Sequence, residues 1–200
     1  MNNYVITVGR EHGSGGHMVA RKLAELLGIP CYDKEMITLA AKKSGLSEDI
    51  IKMHEQKKTS SFLYSLQMSV QTLPISDMVY IAQSNIIKDL AKTESCVIVG
   101  RCADYILKDF ANCFNIFVYA PFEHRMNRVR DHYGCEEKNL ERYITRKDRE
   151  RADYYQFNTH MKWGDYKNYD LLLNSKPGID ATARIAQLAV KEFFAGKIEV

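Results

Sequence analysis

An α/β fold built on a parallel sheet of five strands is predicted by three features of this 200-residue chain. Short apolar runs alternate with segments of helical periodicity, and a glycine-rich turn joins the first run to the first helical segment. The third feature is Cys96-Val97-Ile98-Val99, an unbroken apolar stretch suited to a strand buried on both faces. With a hydrophobic share of 46%, residues 1–200 are expected to form a single domain around one core.

The first run, Tyr4-Val5-Ile6-Thr7-Val8, leads into Gly9-Arg10-Glu11-His12-Gly13-Ser14-Gly15-Gly16-His17. Glycines let a backbone take positive φ and turn its N–H groups inward, and a following helix points its positive end at the same place. Such a turn holds a phosphate, with Gly13, Ser14, Gly15, Gly16 and His17 as the cradle. An ordinary βα turn is the alternative for a glycine cluster standing alone. The usual phosphate-loop spelling, G-x-x-x-x-G-K-[ST], is absent. If Gly15 is the last loop glycine, Gly16 stands at the lysine position and Met18 near the hydroxyl position, which leaves Arg10 and His17 as local cation candidates.

The net charge of +3 is small for the length and argues against a general nucleic-acid or membrane surface. Five scattered cysteines and immediate entry into a strand lead to the expectation of a reducing, cytoplasmic setting. No apolar run reaches the length of a membrane span, and His132 with Cys135 is only a fragment of a zinc pattern.

Beyond the loop, Met18, Val19, Leu23, Leu26 and Leu27 form an apolar stripe that Gly28 and Pro30 end. Ile29-Pro30-Cys31-Tyr32 reads as a second strand releasing Asp33-Lys34-Glu35 at its carboxyl edge, where Asp33 either caps the next helix or faces a ligand. Residues 36–94 read as helical, with breaks at Ser44-Gly45, Gln56 to Ser61 and Leu73-Pro74, a helix start at Ser47-Glu48-Asp49, and Phe62, Leu63, Tyr64 and Met68 packing the lobe or lining a pocket. A helix over Asp77 to Lys92, with Val79, Ile81, Ile86, Ile87 and Leu90, returns to the third strand. Arg101, just past that strand, is placed to grip an anion, or else to pair with Asp104 or Asp33.

A fourth strand, Asn115 to Ala120, precedes a helix carrying Arg125, Arg128 and Arg130. After a helical stretch from Glu136 to Tyr143 comes a second basic cluster of Arg142, Arg146, Lys147, Arg149 and Arg151. Across the linker His132-Tyr133-Gly134 the two clusters are either solvated helix faces or a flap closing over phosphates. Asp153 to Phe157 and Trp163 to Tyr166 read as irregular, Tyr169 to Ser175 as a fifth strand, and the segment after Gly178 as a helix with Ile185, Leu188, Ala189 and Phe193 facing the core.

The motifs Arg10-Glu11-His12-Gly13-Ser14-Gly15-Gly16, Tyr32-Asp33-Lys34-Glu35, Val99-Gly100-Arg101-Cys102-Ala103-Asp104-Tyr105 and Trp163-Gly164-Asp165 with Tyr169-Asp170-Leu171 resemble those of the cytidylate kinase-like family, across nearly the whole chain. The resemblance implies a three-layer P-loop NTPase fold with a helical acceptor-binding insertion at about residues 36–94 and an arginine-rich lid at about 125–160. It also implies phosphoryl transfer from ATP or another nucleoside triphosphate, with Mg2+, to a monophosphate such as CMP; the expected partners are nucleotides, not nucleic acid or membrane. In that scheme Gly13, Ser14, Gly15 and Gly16 hold the donor phosphates, Asp33, Arg101 and Asp104 stand on the acceptor side, and Arg10, His17, Arg125, Arg128, Arg149 and Arg151 supply charge to the transition state.

Cytidylate kinases carry Gly-Lys-Gly-Thr in the loop and Asp-Gly-Arg-Asp after the third strand, whereas this chain has Gly16-His17-Met18 and Val99-Gly100-Arg101-Cys102. Arg10 is then the candidate substitute for the lysine, and Asp104 the candidate Mg2+ ligand through water. Three readings stay open: a cytidylate-type kinase, a nucleotide-binding regulatory module without transfer, and a kinase for another small acceptor.

Overall fold

A computed structural model describes residues 3–43 and 75–196. Five strands, β1 (Val5–Arg10), β2 (Cys31–Tyr32), β3 (Cys96–Val99), β4 (Cys113–Tyr119) and β5 (Leu171–Asn174), form one sheet in the order β2-β3-β1-β4-β5. Every pairing is parallel. The register runs Val5 to Cys96 and Val8 to Val99 on one side of β1, and Val5 to Cys113 and Arg10 to Val118 on the other. β1 is therefore the central strand, and the crevice beyond its carboxyl end is where an open parallel sheet binds ligands.

Side-chain alternation along the strands separates two cores. On one face Ile6, Val8, Val97, Val99, Ile116 and Val118 pack against α1 (Gly16–Leu27) and the C-terminal helix Ile179–Phe194. On the other, Val5, Cys96 and Ile98 meet Ile37 of α2 (Lys34–Lys43), Ile87 and Ala91 of α3 (Ile75–Thr93), and Ala103 of the short α4 (Ala103–Ile106). α1 ends where expected, because Gly28 takes φ 68 and returns its N–H to Ala24 and Glu25 carbonyls. Asp33 caps α2, its Oδ1 accepting from the Met36 amide at 3.1 Å.

After β4 come α5 (Phe122–His132) and α6 (Leu140–Thr159), then a 3₁₀ turn at Tyr166–Asn168, β5 and α7 (Ile179–Phe194). α6 differs from expectation at both ends. Asn139 accepts from the Arg142 amide at 2.9 Å and starts the helix at Leu140, not Glu136. The aromatic stretch Asp153 to Phe157 is helical throughout, since Tyr155 turns inward and is buried while Phe157 stays exposed. On α7, Ala189 and Phe193 pack against the core as predicted, but the centre of the inward face is rotated away from Ile185 and Leu188. Ile185 and Leu188 are 50% and 61% exposed, while Thr182, Ala183, Ala186, Val190 and Phe194 are buried. Small alanines let α7 approach the sheet and α1 closely, which a bulkier stripe would prevent.

The readings at Ser44-Gly45, Ser47 to Asp49, Gln56 to Ser61, Phe62, Leu63, Tyr64, Met68 and Leu73-Pro74 lie outside the described residues. Among the described residues all five cysteines are free and no helix is long and apolar enough to cross a membrane.

Candidate active site

A cavity of about 1100 Å3 opens beyond the carboxyl ends of β1, β2 and β3. Gly9 to Gly13, Gly16 and His17 line it from the loop, Asp33 to Glu35 and Thr38 from α2, Val79 and Gln83 from α3, and Gly100 to Cys102 with Asp104 from the β3 edge. Tyr133 at the end of α5 and Lys147, Glu150, Arg151, Tyr154 and Tyr155 of α6 close it from the other side.

The loop is open, and the reason lies in where its carbonyls go. Arg10 O accepts from Arg151 Nη1 at 3.0 Å, Gly13 O from Arg128 Nη1 at 2.7 Å and Ser14 O from Ser175 Oγ at 2.5 Å. Glu11 O accepts from the Ser14 amide and hydroxyl. Among the described residues the amides of Gly13, Gly15, His17 and Met18 donate to no protein acceptor, and they stand at the N-terminus of α1. Unpaired amides at a helix start favour an anion. Gly13 and Gly15 hold φ 78 and 76, and a Cβ at Gly13 would lie 2.8 Å from the Arg125 carbonyl, so the loop is seated closely on α5.

Arg10 lies against two glycines, Gly16 and Gly100. A Cβ at Gly16 would lie 2.4 Å from Arg10 Cβ, and one at Gly100 would lie 2.1 Å from Arg10 Nη1. The arginine stem thus crosses Gly16 and its guanidinium rests on Gly100 at the end of β3. Among the described residues this guanidinium has no hydrogen-bond acceptor and no paired carboxylate. Burial, with Arg151 and Arg101 beside it, lowers Arg10 to about 9. It remains charged at neutral pH, in a setting that an anion would relieve.

Arg101 pairs with neither Asp104 nor Asp33. Its Nε and Nη2 donate to the Gln83 side-chain carbonyl at 3.0 and 2.6 Å, and its guanidinium lies 4.6 Å from the centre of the Tyr154 ring. Gln83 is 1% exposed and its Nε2 donates to Thr38 Oγ1 at 3.2 Å. A neutral amide therefore holds the arginine without cancelling its charge. Arg101 and Cys102, at φ 56 and 57, follow Gly100 at 74 in a left-handed turn that throws the side chain back over the strand end.

Of the other predicted site residues, Arg151 lines the cavity and His17 bridges its two sides, with Nε2 3.3 Å from Asp33 Oδ2. Burial pushes the Asp33 carboxyl up, but the Met36 amide and His17 more than offset it, so its net shift is downward. Asp104 accepts from Tyr155 Oη at 2.6 Å, and burial raises its pKa against that bond and two backbone amides. Arg125 and Arg128 sit behind the loop. Arg125, 4% exposed, is clamped between Glu11, at 2.8 Å, and Asp148. Arg128 holds the Gly13 carbonyl. Arg149 is exposed and outside the cavity. Gln83, Tyr154 and Asp148 belong to the site although the sequence reading gave them no role in it; Asp148 Oδ1 accepts from the His12 amide at 2.6 Å and ties α6 to the loop.

Two outcomes follow from this packing. Gly16→Ala is expected to destabilise the fold by about 1–3 kcal/mol through overpacking, and Arg10→Gly to recover part of that loss in a double-mutant cycle read by denaturant unfolding. His12 is buried between the edges of Tyr133 and Tyr143, and burial with Arg151, Lys147, Arg125 and Arg10 lowers it to about 4. Because the unfolded chain takes up that proton first, His12 should contribute stability that is present above pH 6.5 and lost as pH falls towards 4. His12→Gln should flatten that loss, by up to about 3 kcal/mol, in unfolding curves taken across the range.

The chain matches the cytidylate kinase-like family over residues 5–177. No curated protein matches it. A crystal structure of an uncharacterized protein from Eubacterium ventriosum is 30% identical, with a TM-score of 0.72 over 94% of this chain and 99% of that one. Shikimate kinase from Acinetobacter baumannii, crystallised with shikimate, shares the fold at 16% identity and a TM-score of 0.52, covering 98% of this chain and 96% of its own. A gluconokinase from Sinorhizobium meliloti does so at 14% identity and 0.55, covering 96% and 93%. By its match and its fold, this chain belongs to the cytidylate kinase-like family, within a group of P-loop kinase folds.

Proposed function

We propose that this protein transfers a phosphoryl group from ATP or another nucleoside triphosphate to a nucleoside monophosphate of the CMP type. The observation that carries the reading is the pairing of open loop amides with three arginines, Arg10, Arg101 and Arg151, at the head of one cavity. The donor phosphates lie along the amides of Gly13, Gly15 and His17, and the α1 N-terminus faces them. Arg10 and Arg151 bear on the transferring group, while Lys147 is paired with Glu150 at 3.0 Å. The acceptor's anionic group meets Arg101, whose free donors face the cavity because Gln83 takes only Nε and Nη2. Asp33, joined to His17, stands between the two halves. Little covalent chemistry is asked of the protein, since alignment and charge neutralisation supply most of the acceleration in this reaction.

Mg2+ is implied by the family resemblance, and P-loop kinases hold it with the loop Ser/Thr and an acid after a strand. The residues at those positions here do not fit a divalent ion: Met18 is exposed and apolar, Val99 and Cys102 are buried, and burial pushes the Cys102 thiol up to about 12. Asp104 is taken up by Tyr155 and backbone amides. Among the described residues no group of three His, Cys, Asp or Glu side chains is arranged for a metal.

Coupled ADP release measured across a panel of nucleoside monophosphates is expected to show turnover, with CMP or dCMP preferred. Turnover only with a non-nucleotide acceptor would transfer the reading to another small-molecule kinase, and ATP binding without turnover for any acceptor would leave a binding module. For the acceptor that turns over, Gln83→Glu should raise KM by about tenfold or more with little change in kcat, because a carboxylate neutralises the Arg101 grip. An unchanged KM would make Arg101 structural.

A further inference from the structure

The guanidinium of Arg10 ends beside Gly100, one residue past Val99, at the strand end where P-loop kinases keep the acid that holds their metal. Its stem fills the space over Gly16, where they keep their lysine. Neither substitution is independent of the other. A side chain at Gly16 collides with Arg10, and one at Gly100 collides with its guanidinium, so the two glycines and the arginine form one packed unit. The positions that would ligate a metal have meanwhile become apolar or neutral, at Met18, Val99 and Cys102.

We infer that Arg10 is the resident cation of this site and replaces both the loop lysine and the protein-held divalent ion, so that the loop binds di- and triphosphates without a metal. The inference rests on the reading of the loop as a phosphate cradle, but not on turnover. Arg10, Arg101 and Arg151 together carry the same formal charge as one lysine and one divalent ion. They are covalently part of the chain, and their planar donor forks match phosphate oxygens. Among the described residues Arg10 makes no hydrogen bond or ion pair, with Glu35 acting on it only electrostatically; Arg101 is held by an amide that leaves its charge intact, and Arg151 spends Nη1 on the Arg10 carbonyl and Nη2 on His12 Nδ1, 3.4 Å away. Each has donors left for an anion.

The probe is inorganic pyrophosphate, titrated by calorimetry into the wild-type chain in excess EDTA and in Mg2+ at matched free pyrophosphate. Wild-type affinity in EDTA is expected to be within about threefold of that in Mg2+, and Arg10→Met to weaken binding about tenfold or more, as for a lost charge-assisted hydrogen bond. Arg10→Lys should recover part of the loss, and thermal melts of both variants check folding. If Arg10→Met does not fold, the wild-type comparison decides alone. Loss of wild-type binding in EDTA, absence of binding in both buffers, or wild-type affinity in a folded Arg10→Met chain would each overturn the inference. Metal-free pyrophosphate binding without kinase turnover would remove the proposed function and leave this inference standing. Turnover with strictly metal-dependent binding would do the reverse.

Discussion

The Arg10 side chain lies across two glycines, and the rest of the site is arranged around that contact. Gly16 beneath its stem and Gly100 beneath its guanidinium have no Cβ because none would fit. β1 carries the arginine to the centre of the sheet, α1 begins at the first glycine, and β3 ends at the second. One side chain thus links the loop, the first helix and the end of β3. Among the described residues its guanidinium makes no hydrogen bond or ion pair, although the Glu35 carboxylate acts on it electrostatically, so its donors stay open to the crevice.

Around this centre, arginines with similar sequence settings divide by what they pair with. Arg125 is neutralised by Glu11 and Asp148 and gives the loop its back support, in the buried, doubly paired state that makes a charge structural. Arg128 supports the loop through the Gly13 carbonyl. Arg101 donates to a glutamine amide and Arg151 to a main-chain carbonyl, with Asp148 and Glu150 acting electrostatically on Arg151 as well. The partner, more than the burial, separates scaffold from binding group. α6 contributes to both, with Asp148 to the clamp and Arg151 and Tyr154 to the cavity.

Most of this fold is legible in the sequence because the strands are short and apolar and the helices have glycine or proline stops. The glycine loop, the αL end of α1 at Gly28 and the Asp33 cap were all visible in residue type and order. The faces of amphipathic helices were less so. α7 is apolar on two sides, and nothing local tells that Ala183 and Ala186 face inward while Ile185 and Leu188 do not. The charge and aromatic density of α6 disguised its length. Which arginines turn to the cavity depends on partners distant in sequence, such as Asp148 for Arg125, and no spacing rule gives those. Gln83 did leave a signal: with Val79 and Ile87 it occupies a buried stripe at four-residue intervals, where a polar side chain needs a reason.

An anion is expected on the loop amides, against the Arg10 guanidinium. A crystal structure of the chain grown with pyrophosphate tests it most directly. The account predicts phosphoryl oxygens on the amides of Gly13, Gly15 and His17, with the Arg10 guanidinium in hydrogen-bonding contact above Gly100. A pyrophosphate bound elsewhere in the cavity, with Arg10 turned away to a carboxylate of the protein, would contradict it.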